Sequence, residues 1–175
     1  LELCKGGCPV LSVDVRGTGE TDGRDGRHKA SAAGWDPDNF ARDSHAINVF
    51  GLTGRSLDAL RALDVLRALA YAHGRAEGRP LWLVGEELGG MWALLAAACD
   101  ERVAGVITVG TLLSYESLLQ SPYHEVRGYF WNPGAVADFD LCELSALLVS
   151  RPVYWLDPID AMGLPAEDAA WAEMT

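Results

Sequence analysis

A glycine-bounded turn carries the residues in this sequence that are best placed for chemistry. It reads GEELGG over residues 85–90, after the apolar run 80–85 and before the apolar run 91–98. A strand that turns sharply into a helix presents its middle side chain, which is the nucleophilic serine in G-x-S-x-G enzymes. Here that position holds Glu87, a carboxylate that can act as a nucleophile or as a base.

The elements that must position this turn alternate along the chain. Their apolar patterns predict an α/β protein with a mainly parallel sheet of about four strands, covered by helices on both faces. The length fits a single domain over 1–175. The predicted strands are 9–15, 81–85, 103–110 and 152–157, and the predicted helices are 39–50, 55–73, 88–99, 141–149 and 166–174.

Three strand ends, taken in order, resemble the α/β-hydrolase superfamily, and most closely its acetylxylan-esterase and dienelactone-hydrolase-like branch. They are VLSVDVRGTGET (10–21), which is similar to the D-x-R-G-x-G-x-[ST] form of that branch, GEELGG (85–90) and DPID (157–160). The resemblance covers roughly residues 9–165. It implies a partial α/β-hydrolase fold and a domain related to carboxylic-ester hydrolases of the acetylxylan type.

The resemblance also implies roles for individual residues. Glu87 falls at the nucleophile position, Asp160 at the acid position with Asp157 as the less favoured alternative, and the backbone N–H of Leu88 at one oxyanion-hole position. A second interpretation of Asp160 is that it caps a turn. Arg16 is expected to anchor its own loop through a salt bridge or backbone hydrogen bonds.

The sequence departs from the family in its catalytic groups. Ester hydrolysis by this fold needs a hydroxyl nucleophile, a histidine base and a carboxylate that orients the histidine. Glu87 has no proton to give up at neutral pH, and no histidine follows Asp160. Among the four histidines, His124 alone has a plausible route to the cleft, whereas His28 and His45 are expected in solvent and His73 at a helix end.

A third departure concerns the sheet. In the family, a strand that precedes the 9–15 strand in sequence lies between it and the strand that ends at Gly85. We therefore expect another chain or a missing segment to complete the sheet, or the strands to close up in a rearranged order, because open gaps expose unpaired backbone groups.

Three functions remain open at this stage. The first is a degenerate hydrolase domain that is inactive or weakly active alone. The second is an active hydrolase that uses Glu87 or Glu86 with Asp160 and His124. The third is a non-catalytic carbohydrate-binding or scaffold module that uses aromatic side chains of the 123–131 connection, which could equally be core residues; they are Tyr123, Tyr129, Phe130 and Trp131.

Composition restricts the partners. The formal net charge of −11 argues against nucleic acid and against an anionic membrane surface, because phosphate groups would be repelled. No apolar run reaches the roughly 20 residues that span a bilayer. The expected ligand is a small ester or a carbohydrate, and the expected protein is soluble. The resemblance allows secretion or a periplasmic location, but the chain shows no signal peptide and its compartment is left open.

No cofactor or metal is expected. The segment Gly17-Thr18-Gly19-Glu20 lacks the third glycine of a dinucleotide-binding loop. Cys4 and Cys8 have no second cysteine pair or paired histidines with which to bind a metal. Cys99 and Cys142 are expected to be buried free thiols. Since the chain begins at Leu1, almost directly in a strand, it is expected to be a piece of a longer polypeptide.

Overall fold

The computed structural model describes residues 2–21, 37–123, 125, 132 and 134–166. Parallel strands alternate with helices, which confirms the predicted α/β class. The predicted helix 166–174 lies almost wholly outside the described residues. The helices are α1 Glu2–Lys5, α2 Pro37–Leu52, α3 Leu57–His73, α4 Leu88–Cys99, α5 Glu116–Gln120 and α6 Leu141–Leu147, and the strands are β1 Leu81–Glu86, β2 Val103–Val109 and β3 Val153–Leu156.

The described sheet has three parallel strands in the order β1-β2-β3. The fourth predicted strand is wrong, because residues 9–15 have no assigned secondary structure. A β-strand exists only when a neighbour accepts and donates its backbone hydrogen bonds, and none of the three described strands pairs with this segment. The apolar, β-branched pattern of residues 9–15 indicates an extended backbone. It does not indicate whether a neighbouring strand is present to pair with that backbone.

Two of the helices that flank α4 begin at residues whose side chains cap them. The Ser56 side chain accepts a hydrogen bond from the Ala59 N–H at 3.2 Å and so caps α3. Asp140 caps α6 in a capping box with Glu143, whose carboxylate accepts a hydrogen bond from the Asp140 N–H at 2.9 Å. These caps satisfy backbone groups that a helix end otherwise leaves unpaired.

One face of the sheet carries the hydrophobic core. Helix α4 packs against β1 and β2 on this face and is flanked by α3 and α6. Met91 and Leu94 of α4 are fully buried, as is Val106 of β2. The apolar composition of α4 on all sides is explained by this position between the sheet and two neighbouring helices.

The opposite face of the sheet is open in the described part of the chain, whereas the sequence predicts helices on both faces. Four apolar side chains on β1 and β3 define this open face: Trp82 is 41% exposed, Val84 54%, Tyr154 53% and Leu156 49%. The Trp82 and Tyr154 rings lie nearly parallel across β2, with centroids 6.1 Å apart. Gly105 of β2 makes room for Trp82, because a Cβ there would lie 2.5 Å from the indole ring.

A charged network fastens the 14–21 loop to α3. Arg16 binds Asp64 through Nε at 2.7 Å and Nη2 at 2.6 Å, which confirms the predicted salt bridge. The buried Arg61 donates from Nε to the Arg16 carbonyl at 3.2 Å and lies 5.0 Å over the Trp92 ring. The Trp92 indole in turn donates to Asp58 at 2.9 Å. The network thus links the loop, α3 and α4.

The cysteines are free thiols, and their burial differs from the expectation. Cys99 is exposed and Cys142 is only half-buried, because Cys99 is the last residue of α4 and turns away from the core. No group of metal-binding side chains occurs among the described residues. The described helices also include none with the length and apolar character needed to cross a membrane.

The Arg16–Asp64 pair predicts a pH-dependent contribution to stability. The Arg16 guanidinium lowers the pKa of Asp64, chiefly through their side-chain hydrogen bonds. We expect Asp64→Asn to lower the free energy of unfolding by about 1 kcal/mol at pH 7, since the pair is partly exposed.

The difference between the wild type and Asp64→Asn should be constant above the unfolded-state pKa of about 3.9. It should then shrink as the pH falls through the lower folded-state pKa. Urea unfolding at pH 7, 4 and 3 measures this difference, and Asp138→Asn, at an exposed position, is the matched control. A difference that is the same at pH 3 and pH 7 would contradict the assignment.

Candidate functional site

The β1–α4 turn is a sharp, strained strand-to-helix turn, as a nucleophile elbow requires. Glu87 has φ +47° and ψ −115°, a left-handed conformation that L-residues adopt at an energetic cost of about 1–3 kcal/mol. Its N–H donates to the Val109 carbonyl at 2.8 Å. Its carbonyl accepts from the Thr111 hydroxyl at 2.9 Å and from the Gly90 N–H at 3.2 Å. Hydrogen bonds on both sides therefore hold the strained residue in place.

Two glycines make this sharp turn possible. A Cβ on Gly85 would overlap the backbone of Gly89 and Gly90, and a Cβ on Gly90 would overlap the Thr111 hydroxyl. Gly89 is different, because a Cβ there would meet nothing within 4 Å. The close approach of α4 to the sheet thus depends on Gly85 and Gly90 and not on Gly89.

The Glu87 side chain lies exposed at the start of α4 and makes no capping hydrogen bond to that helix. The positive end of the helix favours a carboxylate at this place. Leu88 follows as the first residue of α4, and an N–H in the first turn has no acceptor inside the helix. Such an N–H is free to donate to a ligand, so the oxyanion role of Leu88 stays a prediction that its position allows.

Asp160 lies in a tight turn after β3. Its Oδ1 accepts hydrogen bonds from the N–H groups of Met162 at 2.8 Å and Leu164 at 2.9 Å. The expected turn-capping role of Asp160 is therefore confirmed. These bonds also fix the carboxyl group in one orientation, as an acid that positions a base requires, and that second role stays a prediction.

Asp160 and Glu87 lie at the same edge of the sheet. The chain before Asp160 pairs in parallel with the chain after β2, through a bridge between Ile159 and Leu112. The Ile159 N–H donates to the Thr111 carbonyl at 3.0 Å, and the Thr111 hydroxyl donates to the Glu87 carbonyl. The structure thus joins both predicted site residues to the carboxyl ends of the strands, where ligands of parallel sheets bind.

The alternative carboxylates are exposed at the same edge. Asp157 directly follows β3 with φ +47°, and Glu86 is the last residue of β1. Both side chains are open to solvent. Among the described residues, two backbone N–H groups donate to Asp160, and none is seen to donate to the side chain of Asp157 or Glu86, so Asp160 is the better oriented of these candidate acids.

The predicted base cannot be placed. His124 lies outside the described residues, as do His28, Tyr129, Phe130 and Trp131. The described histidines are His45 on α2, which is exposed as expected, and His73, which is also exposed and lies at a helix end as expected. His73 ends α3. Arg102 chiefly lowers the pKa of Asp100, and His73 adds to this effect. Asp100 follows the end of α4 that is opposite to Glu87. Tyr123 of the aromatic connection is 79% exposed, so it is not a core residue.

A buried polar group behind the elbow was not expected from the sequence. Tyr115 is buried and its hydroxyl contacts the Met91 sulfur at 2.9 Å. Burial raises the pKa of Tyr115, and the charge of Asp58 adds to the effect. Asp140 accepts hydrogen bonds from the Tyr115 N–H at 2.7 Å and from the Ser114 hydroxyl. This group fixes the connection after β2, and only the D-x-x-E capping pattern at Asp140 signals it in the sequence.

Comparison with known proteins gives one distant relative. The chain is 24% identical over 169 residues to a Bacillus subtilis (strain 168) protein named "Putative hydrolase YtaP". The match covers 95% of this chain and 51% of the relative, so the chain spans about half the length of the curated relative. No model of a known protein family matches the chain, and no solved structure matches it. The comparison therefore indicates hydrolase-like character and nothing finer.

The glycine contacts predict a sharp difference between two neighbouring substitutions. Gly85→Ala should lower the free energy of unfolding by about 1–3 kcal/mol or more, because the new methyl group would overlap backbone atoms. Gly89→Ala should leave stability unchanged or raise it by up to about 1 kcal/mol, because alanine favours a helix and meets no neighbour. Urea unfolding of both variants measures the difference, and equal losses would show that α4 does not approach the sheet as described.

Proposed function

We propose that this chain is an α/β-hydrolase-type domain related to carboxylic-ester hydrolases of the acetylxylan type, in which Glu87 replaces the nucleophilic serine. Its ester hydrolysis is weak or absent. The observation that carries the proposal is the strained backbone of Glu87, which lies between strand β1 and helix α4. The strand and the helix approach each other this closely because positions 85 and 90 are glycines. The hydrolase-like relative supports the same class.

The backbone of the turn is better suited to a nucleophile than the side chain is. A left-handed residue persists only where the surrounding structure over-determines it, and such residues concentrate at functional sites. At Glu87, two hydrogen bonds supply that constraint: its N–H donates to the Val109 carbonyl of β2, and its carbonyl accepts from the Thr111 hydroxyl. These hydrogen bonds involve only the backbone of residue 87, so they do not depend on its side chain. The strained conformation therefore persists when glutamate replaces serine.

The chemistry of glutamate explains the expected loss of activity. Attack of the Glu87 carboxylate on an ester would give a mixed anhydride, which needs a further hydrolysis step. The carboxylate also has no proton for a base to remove, so a histidine would not activate it as it activates serine. A carboxylate nucleophile does work on saturated carbon, and the dehalogenases and epoxide hydrolases of this superfamily place an aspartate in the same turn for that purpose. Glutamate is one methylene longer than aspartate, and a displacement of about 1 Å matters in such sites.

An assay with p-nitrophenyl acetate tests the proposal with four proteins. Wild type and Glu87→Gln should release p-nitrophenol at equal rates, at the buffer rate or weakly above it, because neither has a hydroxyl nucleophile. Glu87→Ser should gain no more than about 10³–10⁴-fold over water, which is what binding and oxyanion stabilisation supply without a complete triad. Glu77→Gln is the matched control, since Glu77 is also an exposed glutamate with φ +52°.

Each outcome of the assay separates the alternatives. Wild-type turnover that Glu87→Gln abolishes and Glu77→Gln preserves would overturn the proposal in favour of a carboxylate nucleophile. A parallel assay with a haloalkane or an epoxide tests the same nucleophile at saturated carbon. High activity of Glu87→Ser would show instead that a base and an oxyanion hole are already in place, and that Glu87 alone silences the domain.

A further inference from the structure

The open face and one edge of the sheet form a continuous uncovered surface. In the described part of the chain, β1 pairs only with β2, so its other edge has no strand beside it. The Glu87 N–H points to β2, where it donates to Val109. Because N–H groups alternate along a strand, those of Val84 and Glu86 point to the uncovered edge.

This surface is apolar enough to need a cover. Val84 lies at the uncovered edge and on the open face, and Leu156 and the Trp82–Tyr154 pair extend the apolar area across three strands. Parallel sheets are found almost only with both faces covered. An exposed apolar edge strand is a template for aggregation, which natural proteins avoid by pairing or covering the edge.

A second unpaired segment lies on the same side of the molecule. Residues 9–15 expose Val10, Leu11 and Val13 and pair with none of the described strands. The end of this segment is fixed, because Val15 is buried in the core and Arg16 binds Asp64 of α3. Helix α3 in turn packs against β1. An apolar, β-branched segment is thus held on the β1 side of the sheet, and no strand of the described residues pairs with it.

We propose that the uncovered edge of β1 and the open face bind a β-strand and an apolar helix face from the same polypeptide, outside residues 1–175. The relative supports this occupant, since about half of its length lies outside the matched region. A second copy of this chain is less favoured, because each copy carries a net charge of −11 and like charges oppose association. The proposal is independent of the role of Glu87.

Hydrogen exchange tests the proposal without any substitution. The 175-residue chain and the polypeptide translated from the complete gene are compared at the amides of Val84 and Glu86. A pairing strand should slow their exchange by about 10²-fold or more in the longer polypeptide. The amide of Val106, in the central strand β2, is the internal control and should already exchange slowly in the 175-residue chain.

A pair of matched substitutions locates the contact. Val84→Lys should lower the melting temperature of the longer polypeptide by about 5 °C or more, because it buries a charge in the interface. It should leave the melting temperature of the 175-residue chain unchanged, because the Val84 side chain is exposed there. Val49→Lys is the control, because Val49 on α2 is 43% exposed. This substitution should leave the melting temperatures of both proteins unchanged.

Four results would overturn the proposal. The first is a gene that encodes nothing beyond the 175 residues, and the second is equal exchange of Val84 and Glu86 in both polypeptides. The third is protection in the 175-residue chain that grows with its concentration, with a dimer mass in sedimentation equilibrium, which would identify a second copy. The fourth is retention of the longer polypeptide on insoluble xylan that Trp82→Ala and Tyr154→Ala abolish, which would identify a carbohydrate surface.

Discussion

The close approach of α4 to the sheet is the constraint on which the rest of the structure depends. It requires glycine at positions 85 and 90, because any side chain there would overlap neighbouring backbone or Thr111. It also forces Glu87 into a left-handed conformation. The same approach brings α4 against the sheet and buries Met91 and Leu94 in the hydrophobic core. A strained residue and a well-packed core are therefore two results of one geometry.

The charged side chains of α3 also hold α4 in its position against the sheet. Arg61 and Asp58 are buried but engaged with Trp92 of α4, so the helix that follows the elbow is held to α3 by polar as well as apolar contacts. Such groups are tolerated in a core because each has a partner. The Arg16–Asp64 pair extends this hold to the loop after residue 15. A loop near the candidate site is thus tied to the helix layer rather than to the sheet.

The parts of the fold that could be predicted from sequence are those with local causes. Helix α4 was predicted at its observed bounds, and β1 and β2 within one residue, because apolar runs, glycines and charged breaks mark their ends. The strand at 9–15 failed because pairing is a non-local property. Cover on both faces stays a prediction, since the described residues cover one face, and apolar side chains on a strand indicate burial without identifying the element that buries them.

The candidate site shows the same division. The positive φ of Glu87 follows from the glycines around it and was accessible to sequence reasoning. Turn capping by Asp160 was predicted as an alternative role. The donors, which are the N–H groups of Met162 and Leu164, could not be predicted because they depend on the path of the backbone through the turn. The polar group around Tyr115 and Asp140 was missed because its members are 25 residues apart in sequence.

Gly105 has a consequence for the shape of the open face. It is the residue over which Trp82 lies, and a side chain there would strike the indole ring. Valine or isoleucine at this central strand position would favour β-structure but would lift the indole away from the sheet. Glycine at position 105 therefore lowers the β-propensity of the strand but lets the Trp82 ring lie flat on the sheet. The resulting apolar surface is level, so another flat element can pack against it without rearrangement.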